Sequence, residues 1–437
     1  MTAFLRARRS LLPLLALALF ALLAAACARI AKPAGWAGPL QVDSTVYASI
    51  DRGRMAALDL NPETGAQCDN ATDDDGDGWV NEGCPQAGAL PETGKQCLND
   101  ISDETVNNVK DDDVVNDGCP ATVARWVFPP DTTEGRRIKP VAIYGTPVLA
   151  GGDLYFGAYD GKVYALNASD GTPVWPFTTG GPIIGGIAPD VRGGQDQATA
   201  VSTLFVGSDD GKLYALDPKD GRVKATFDAG DSIWTTPLVA GSVLYVAAVN
   251  GKLFALDSES LKPVWDRPFK ADAGLVTDPV LADKDTVLVG GIDRTLYAVG
   301  AASGQKKWSF KADNWFWGRP LVADGTVYAP NLDKNVYALD LATGKPAWPT
   351  PFKAQAPLRS SPLLAAGVLI VVDRTGDVYG LDPATGALKW GPQLLNRTVL
   401  SDPLAFGDSV LIVAQGGDLF RIDPSGGAPA PVEVRRP

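Results

Sequence analysis

The sequence predicts an all-β fold: an eight-bladed β-propeller of four-stranded antiparallel blades, with a small disulfide-rich acidic insertion in the first blade. Three observations predict it. A core of the type Tyr-Ala-Leu-Asp occurs eight times, at residues 56–59, 164–167, 214–217, 254–257, 297–300, 337–340, 379–382 and 420–423. The later copies are spaced by 40–43 residues, the period of a repeat architecture. Copies are preceded by a Pro-hydrophobic-turn-hydrophobic unit, such as Pro237-Leu238-Val239-Ala240-Gly241 before Val243-Leu244-Tyr245-Val246, and most are followed by a Thr-Gly-type turn and a Trp. That content is about four short strands per unit, enough for one blade. A blade cannot bury both faces alone, so its neighbours must stack on it.

The chain opens with Arg6, Arg8 and Arg9, then an apolar run from Leu11 to Ala26. Residues 1–26 read as a signal peptide, because the run is short for a membrane span and ends in small residues. Leu23-Ala24-Ala25-Ala26-Cys27 resembles a bacterial lipobox. The resemblance implies lipid on Cys27, export, and anchoring at the cell membrane or outer membrane, facing the periplasm or the exterior. Residues 27–37 are then the lipidated Cys and a tether.

The first repeat runs normally to Glu63-Thr64-Gly65, but its Trp arrives only at Trp126. Residues 66–122 are therefore an insertion between its third and fourth strands. They carry 14 Asp plus Glu against two Lys, a net of −12, equal to the formal charge of the whole chain. Two related halves each begin Glu-Thr-Gly-x-Gln-Cys and end in Gly-Cys-Pro. Their cysteines, Cys68, Cys84, Cys97 and Cys119, make an even set in an exported protein, where disulfides persist. Three pairings are possible, and the tandem repeat favours one staple per half. In the first half Asp73, Asp75 and Asp77 alternate before Gly78, a spacing that wraps a hard cation. Asn81 adds a side-chain oxygen and Trp79 a backbone carbonyl. Cys84 stands where an EF-hand loop has its bidentate Glu. The loop resembles a thrombospondin type-3 or dockerin-like repeat, which implies Ca2+. The second half keeps Asp112 but has Asn108 and Lys110 in place of two acids. The alternative for both halves is a solvated acidic loop.

From residue 123 the repeats resume without interruption. Asp160-Gly161 is a tight-turn dipeptide and Lys162-Val163-Tyr164-Ala165-Leu166 alternates as a half-buried strand does. A Trp recurs at 126, 175, 265, 308, 348 and 390; Ala225 takes its place in the third copy, and the last copy has none. Recurrence at one register reads as packing between blades. The pattern A-x-D-x-x-T-G-x-x-x-W resembles the Trp-docking repeat of the quinoprotein (PQQ-like) β-propeller family. It is clearest from Ala338-Leu339-Asp340 to Trp348 and from Gly380-Leu381-Asp382 to Trp390. The propeller thus comprises residues 38–65 and 123–437, its last blade completed by a strand from 430–435 or from the tether.

The chain has no His, which excludes His-based acid–base catalysis, Ser-His-Asp triads and His-ligated metals. No basic patch points to nucleic acid. Quinoprotein dehydrogenases use adjacent cysteines stacked on the quinone. No two cysteines here are adjacent, and apart from Cys27 all lie in the insertion, so no PQQ and no enzymatic role are expected. In a propeller the connections between blades gather at one mouth of the central channel. Those connections hold Tyr144, Trp234, Asp278, Trp315, Phe316, Trp317, Arg319, Arg359 and Asp402, an aromatic and charged set suited to a partner. The alternative is that Trp234 and Trp317 plug the channel. A lipobox followed by eight such repeats resembles the BamB-type outer-membrane assembly lipoproteins. That resemblance implies a non-enzymatic, membrane-anchored scaffold that binds envelope proteins, with a β-barrel assembly component as partner. An extracellular glycan- or ligand-binding module is the second reading, and a quinoprotein oxidoreductase the third.

Overall fold

A computed structural model describes residues 35, 37–50, 53–60, 105–106, 109–110, 122–130, 132–133, 136–137, 141–191, 201–432 and 434–435. Cys27, all four insertion cysteines, and Asp73, Asp75, Asp77, Trp79 and Asn81 lie outside them.

The blade strands form eight sheets, one per repeat, in each of which they lie in sequence order from the innermost outward; Thr105–Val106 with Val109–Lys110, and Thr132–Thr133 with Arg136–Arg137, form two further two-stranded sheets. Blade 1 comprises Leu40–Val42, Thr45–Ile50, Arg54–Asp59 and Thr122–Phe128. Its outer strand begins one residue inside the segment expected to be inserted. The inner strands of blades 2 to 8 are Val148–Ala150, Ile187–Val191, Leu238–Ala240, Val280–Asp283, Leu321–Ala323, Leu363–Ala365 and Leu404–Phe406. Inner strands touch between blades 2 and 3, 3 and 4, 4 and 5, and 7 and 8, and that of blade 8 touches that of blade 1, so the last blade closes onto the first. The middle strands are buried on both faces, as in Thr295–Gly300 and Val368–Val372, because each blade is covered by two neighbours.

The recurrent Trp does two jobs. Its indole N–H donates to a backbone carbonyl in the next blade: Trp126 to Ala168, Trp175 to Pro218, Trp265 to Ala301, Trp308 to Leu341, Trp348 to Pro383 and Trp390 to Pro424, all at 2.8–3.0 Å. Its ring also lies flat on the turn glycine of that blade. At Gly344, where φ is +70°, a Cβ would stand 2.6 Å from the Trp308 ring. Only Gly satisfies both the left-handed backbone and the contact.

Two interfaces use other means. Between blades 3 and 4 the Trp is Ala225 and the Gly is Leu261, which is buried at φ +53° in the same cluster as Ala225. Between blades 8 and 1 Arg421 takes the Trp's role and donates to the Leu60 carbonyl at 3.1 Å, its guanidinium over Phe406. The C-terminal segment finishes the closure. Ala430–Val432 completes blade 8, and Val434–Arg435 pairs in parallel with Thr122 and Val123 of blade 1. Residues 430–435 thus serve both blades.

Candidate partner-binding site at the channel mouth

A Pro immediately precedes every inner strand but that of blade 3, and it has no N–H to leave unpaired where no strand lies further in. The residues just before these prolines, and before Ile187 in blade 3, are Gly38, Thr146, Gly186, Thr236, Asp278, Arg319, Ser361 and Asp402, one per blade. All eight line one axial cavity of about 110 Å3. Six of them also line a second cavity of about 240 Å3, whose other walls include Pro147, Val148, Pro237 and Leu238. The ring is therefore a polar waist in the channel.

Hydrogen bonds run around this waist from blade to blade. The Gly186 N–H donates to Thr236 Oγ1 at 2.8 Å, and the Thr236 N–H to Asp278 Oδ1 at 2.8 Å. Ser361 donates its N–H and its hydroxyl to Asp402, at 2.7 and 2.9 Å. Burial raises the Asp278 carboxyl above the usual carboxylate range; the Thr236 N–H and the Arg319 charge oppose this, and Asp402 adds to it. Arg319 is exposed and makes no hydrogen bond or ion pair among the described residues.

A rim stands above the waist, built two residues earlier in each connection. In blades 2 to 8 it is Tyr144, Ile184, Trp234, Val276, Trp317, Arg359 and Leu400. Its larger side chains are held from behind. The Trp234 indole donates to Asp209 Oδ1 at 2.6 Å. The Arg359 guanidinium lies 4.3 Å from the Trp317 ring centre, and Tyr144 meets Tyr159 edge-on at 5.5 Å. Burial, then Tyr159, pushes the Tyr144 phenol up to about 12, against the pull of Arg359. Burial, then Arg374, brings Arg359 down to about 10, against Tyr144. At neutral pH the phenol stays neutral and the guanidinium charged.

Seven of the nine side chains expected at the mouth meet around this cavity: Tyr144, Trp234, Asp278, Trp317, Arg319, Arg359 and Asp402. Phe316 does not and is corrected to a core residue. It is 1% exposed and packs with Leu288, Trp308 and Val327 between blades 5 and 6. Its position in the connection always turns inward, as Ile143, Ile183, Ile233, Leu275, Leu358 and Val399 do in the other blades. Trp315 is 40% exposed and stands outside the cavity. Thr236 and Ser361 were not singled out in the sequence. Their signal is the pre-proline position, which recurs in every blade but the third.

The mouth has a defined polarity. The turns between second and third strands bond to the mouth connections, as in the Tyr159 N–H to the Ala142 carbonyl and the Leu332 N–H to the Trp315 carbonyl. Antiparallel order then puts Leu60 and Thr122, between which the insertion runs, at the opposite end of blade 1.

Comparison with known proteins agrees with this architecture. No curated protein matches the chain. The crystal structure of BamB from Moraxella catarrhalis superposes with a TM-score of 0.56 at 20% identity, covering 66% of this chain and 88% of that one. A computationally designed protein, Ika8, superposes with a TM-score of 0.61 at 11% identity, covering 90% of this chain and 96% of its own. At such identities these likenesses show the fold alone. The family model described as outer membrane protein assembly factor BamB matches residues 160–272, 262–397 and 332–430, more than half of the chain. By that match, this propeller belongs to the outer membrane protein assembly factor BamB family.

Proposed function

We propose that the chain is a non-enzymatic scaffold of the cell envelope, anchored by lipid on Cys27, that binds a protein of outer-membrane assembly at the channel mouth. One observation carries the reading: a rim of aromatic and Arg side chains, each braced from behind, stands over a narrow polar waist. Rigid Trp, Tyr and Arg side chains at the centre of a surface are the residue types that dominate protein–protein binding. The waist cavity, about 110 Å3, is smaller than the roughly 300–1,000 Å3 of small-molecule pockets, and it suits a side chain from a partner better than a quinone. The insertion's first half, with Asp73, Asp75, Asp77, Asn81 and the Trp79 carbonyl, is proposed to hold Ca2+, with Cys68–Cys84 and Cys97–Cys119 as staples. The residues that flank it, Leu60 and Thr122, lie at the end of blade 1 opposite the mouth.

The test is in-cell photocross-linking from residue 317, with mass spectrometry of the captured protein. A β-barrel assembly component, lost on Trp234→Ala, supports the reading. Capture only from probes far from the mouth overturns it. Calorimetric titration of the purified chain with Ca2+ tests the insertion: heat that disappears in Asp75→Ala supports the site, and equal heat in both variants refutes it.

A further inference from the structure

An apolar pocket of about 630 Å3, open to solvent, lies between blades 1 and 2, separate from the mouth cavity. Its walls are Val127 and Phe128 of blade 1, Val141 and Ile143 of the connection, and Phe156 and Tyr164 of blade 2. Three rings form one side: Phe156 stacks on Tyr164 at 5.3 Å, and Phe128 meets Tyr164 at 5.4 Å and Phe156 at 6.4 Å.

The side chains of Tyr164 and Asp170 on these walls already make hydrogen bonds. The Tyr164 hydroxyl donates to Asp160 at 2.7 Å. The Asp170 carboxylate accepts from the N–H and the hydroxyl of Thr172. Pro129, Pro130 and Pro173, also on the walls, have no N–H. A sugar or peptide entering here would leave its own polar groups unpaired, which is costly. An apolar chain would not. The volume lies within the range of small-molecule sites.

The occupant is indicated by where the tether arrives. The Ala37 N–H donates to the Ile143 carbonyl at 3.1 Å, and Gly35 packs so closely on that residue that a Cβ would stand 2.4 Å from its oxygen. Ile143 is a wall of the cavity. Seven residues lie between Cys27 and Gly35, and those eight Cα–Cα steps span roughly 28 Å at full extension. An anchor on Cys27 would keep Gly35 within that distance of a bilayer. We infer that the cavity between blades 1 and 2 takes one acyl chain of a membrane lipid.

The bilayer step rests on the anchoring proposed above, whereas the chemistry of the walls does not. The test is to feed cells a diazirine-bearing fatty acid, irradiate, purify the full chain and map lipid adducts by mass spectrometry. Adducts are expected on residues 127–130, 141–143 and 156–164, and Val141→Trp, which fills the space, should lower them at least tenfold. Val127→Trp fills the same space from the other blade and serves if the first variant does not fold. Partner capture from residue 317 should be unchanged in either variant, so failure at the mouth and failure here are separate results. Absence of adducts from these walls, or equal labelling in folded filled variants, overturns the inference.

Discussion

Replacing Ala225 by Trp and Leu261 by Gly together should rebuild, between blades 3 and 4, the contact that six other interfaces use. Each change alone should damage the protein. Leu261→Gly removes a side chain that is 5% exposed and packed in one cluster with Ala225, Ile233 and Leu244. Truncating a buried Leu costs roughly 3–5 kcal/mol. Relief of the left-handed backbone at φ +53° returns about 1 kcal/mol, so the net loss is about 2–4 kcal/mol. Ala225→Trp forces an indole against Leu261, and overpacking of this kind costs about 1–3 kcal/mol. In the double variant the indole lies on a glycine, with Ser258 at the acceptor position that Leu341 and Pro383 occupy in later blades. The pair should then recover at least about 2 kcal/mol relative to the sum of the single losses. Urea midpoints for all four proteins measure this, with the double variant above both singles. Additive losses would refute the claim that Ala225 and Leu261 are one exchanged packing unit.

Arg421→Ala should loosen the ring at its seam, because it removes the bond to the Leu60 carbonyl and the contact with Phe406. A hydrogen bond from a charged donor is worth about 1.5–3 kcal/mol, and amide exchange at Thr122, Val123, Val434 and Arg435 should accelerate; unchanged exchange would place the closure elsewhere. Trp308→Phe should cost about 1 kcal/mol through the lost bond to Leu341, and Trp308→Ala about 3–5 kcal/mol, as read from thermal unfolding. The raised Asp278 carboxyl makes a pH prediction. Its stabilising contribution is complete below the unfolded-chain value near 4 and is lost as pH rises through the higher folded value. Stability measured from pH 4 upward should therefore fall more in the native chain than in Asp278→Asn, and parallel curves would show that this carboxyl is not the source.

Much of the fold is legible in the sequence because each repeat writes out its own packing. Trp, turn glycine and the Pro before the inner strand recur at fixed spacing, and the structure uses each for one contact. The seams are harder to read. Nothing near Arg421 marks it as the stand-in for a Trp, since the substitution is of a donor rather than of a shape. Ala225 is visible as an exception, but its compensation by Leu261 lies 36 positions later, across an interface. At the mouth, Trp315-Phe316-Trp317 reads as one aromatic run, whereas the backbone sends its three side chains to solvent, core and rim. Aligning the connections separates them: Phe316 shares its register with Ile233, Leu275 and Leu358, and Trp317 shares its own with Tyr144, Trp234 and Arg359.

The same alignment bears on where the proposed partner would be specified. In the inward register every described blade from 2 to 8 has Ile, Leu, Val or Phe, each at most 2% exposed. Packing between blades leaves that position little freedom. One residue on, at the rim, the set is Tyr, Ile, Trp, Val, Trp, Arg and Leu; two further on, at the waist, it is Gly, Thr, Gly, Thr, Asp, Arg, Ser and Asp, counting blade 1. Neither position fills an interface between blades, so a repeat that demanded only stability would let both drift toward small or polar residues. Instead the bulky rim residues are secured by Asp209, by Tyr159 and by the stacking of Arg359 on Trp317, and two waist carboxylates are tied to their neighbours. Bracing of this kind lowers the entropy that must be lost on binding. The blades therefore supply a uniform frame, and the eightfold repeat is broken on the axis, where a partner would meet a different residue from each blade.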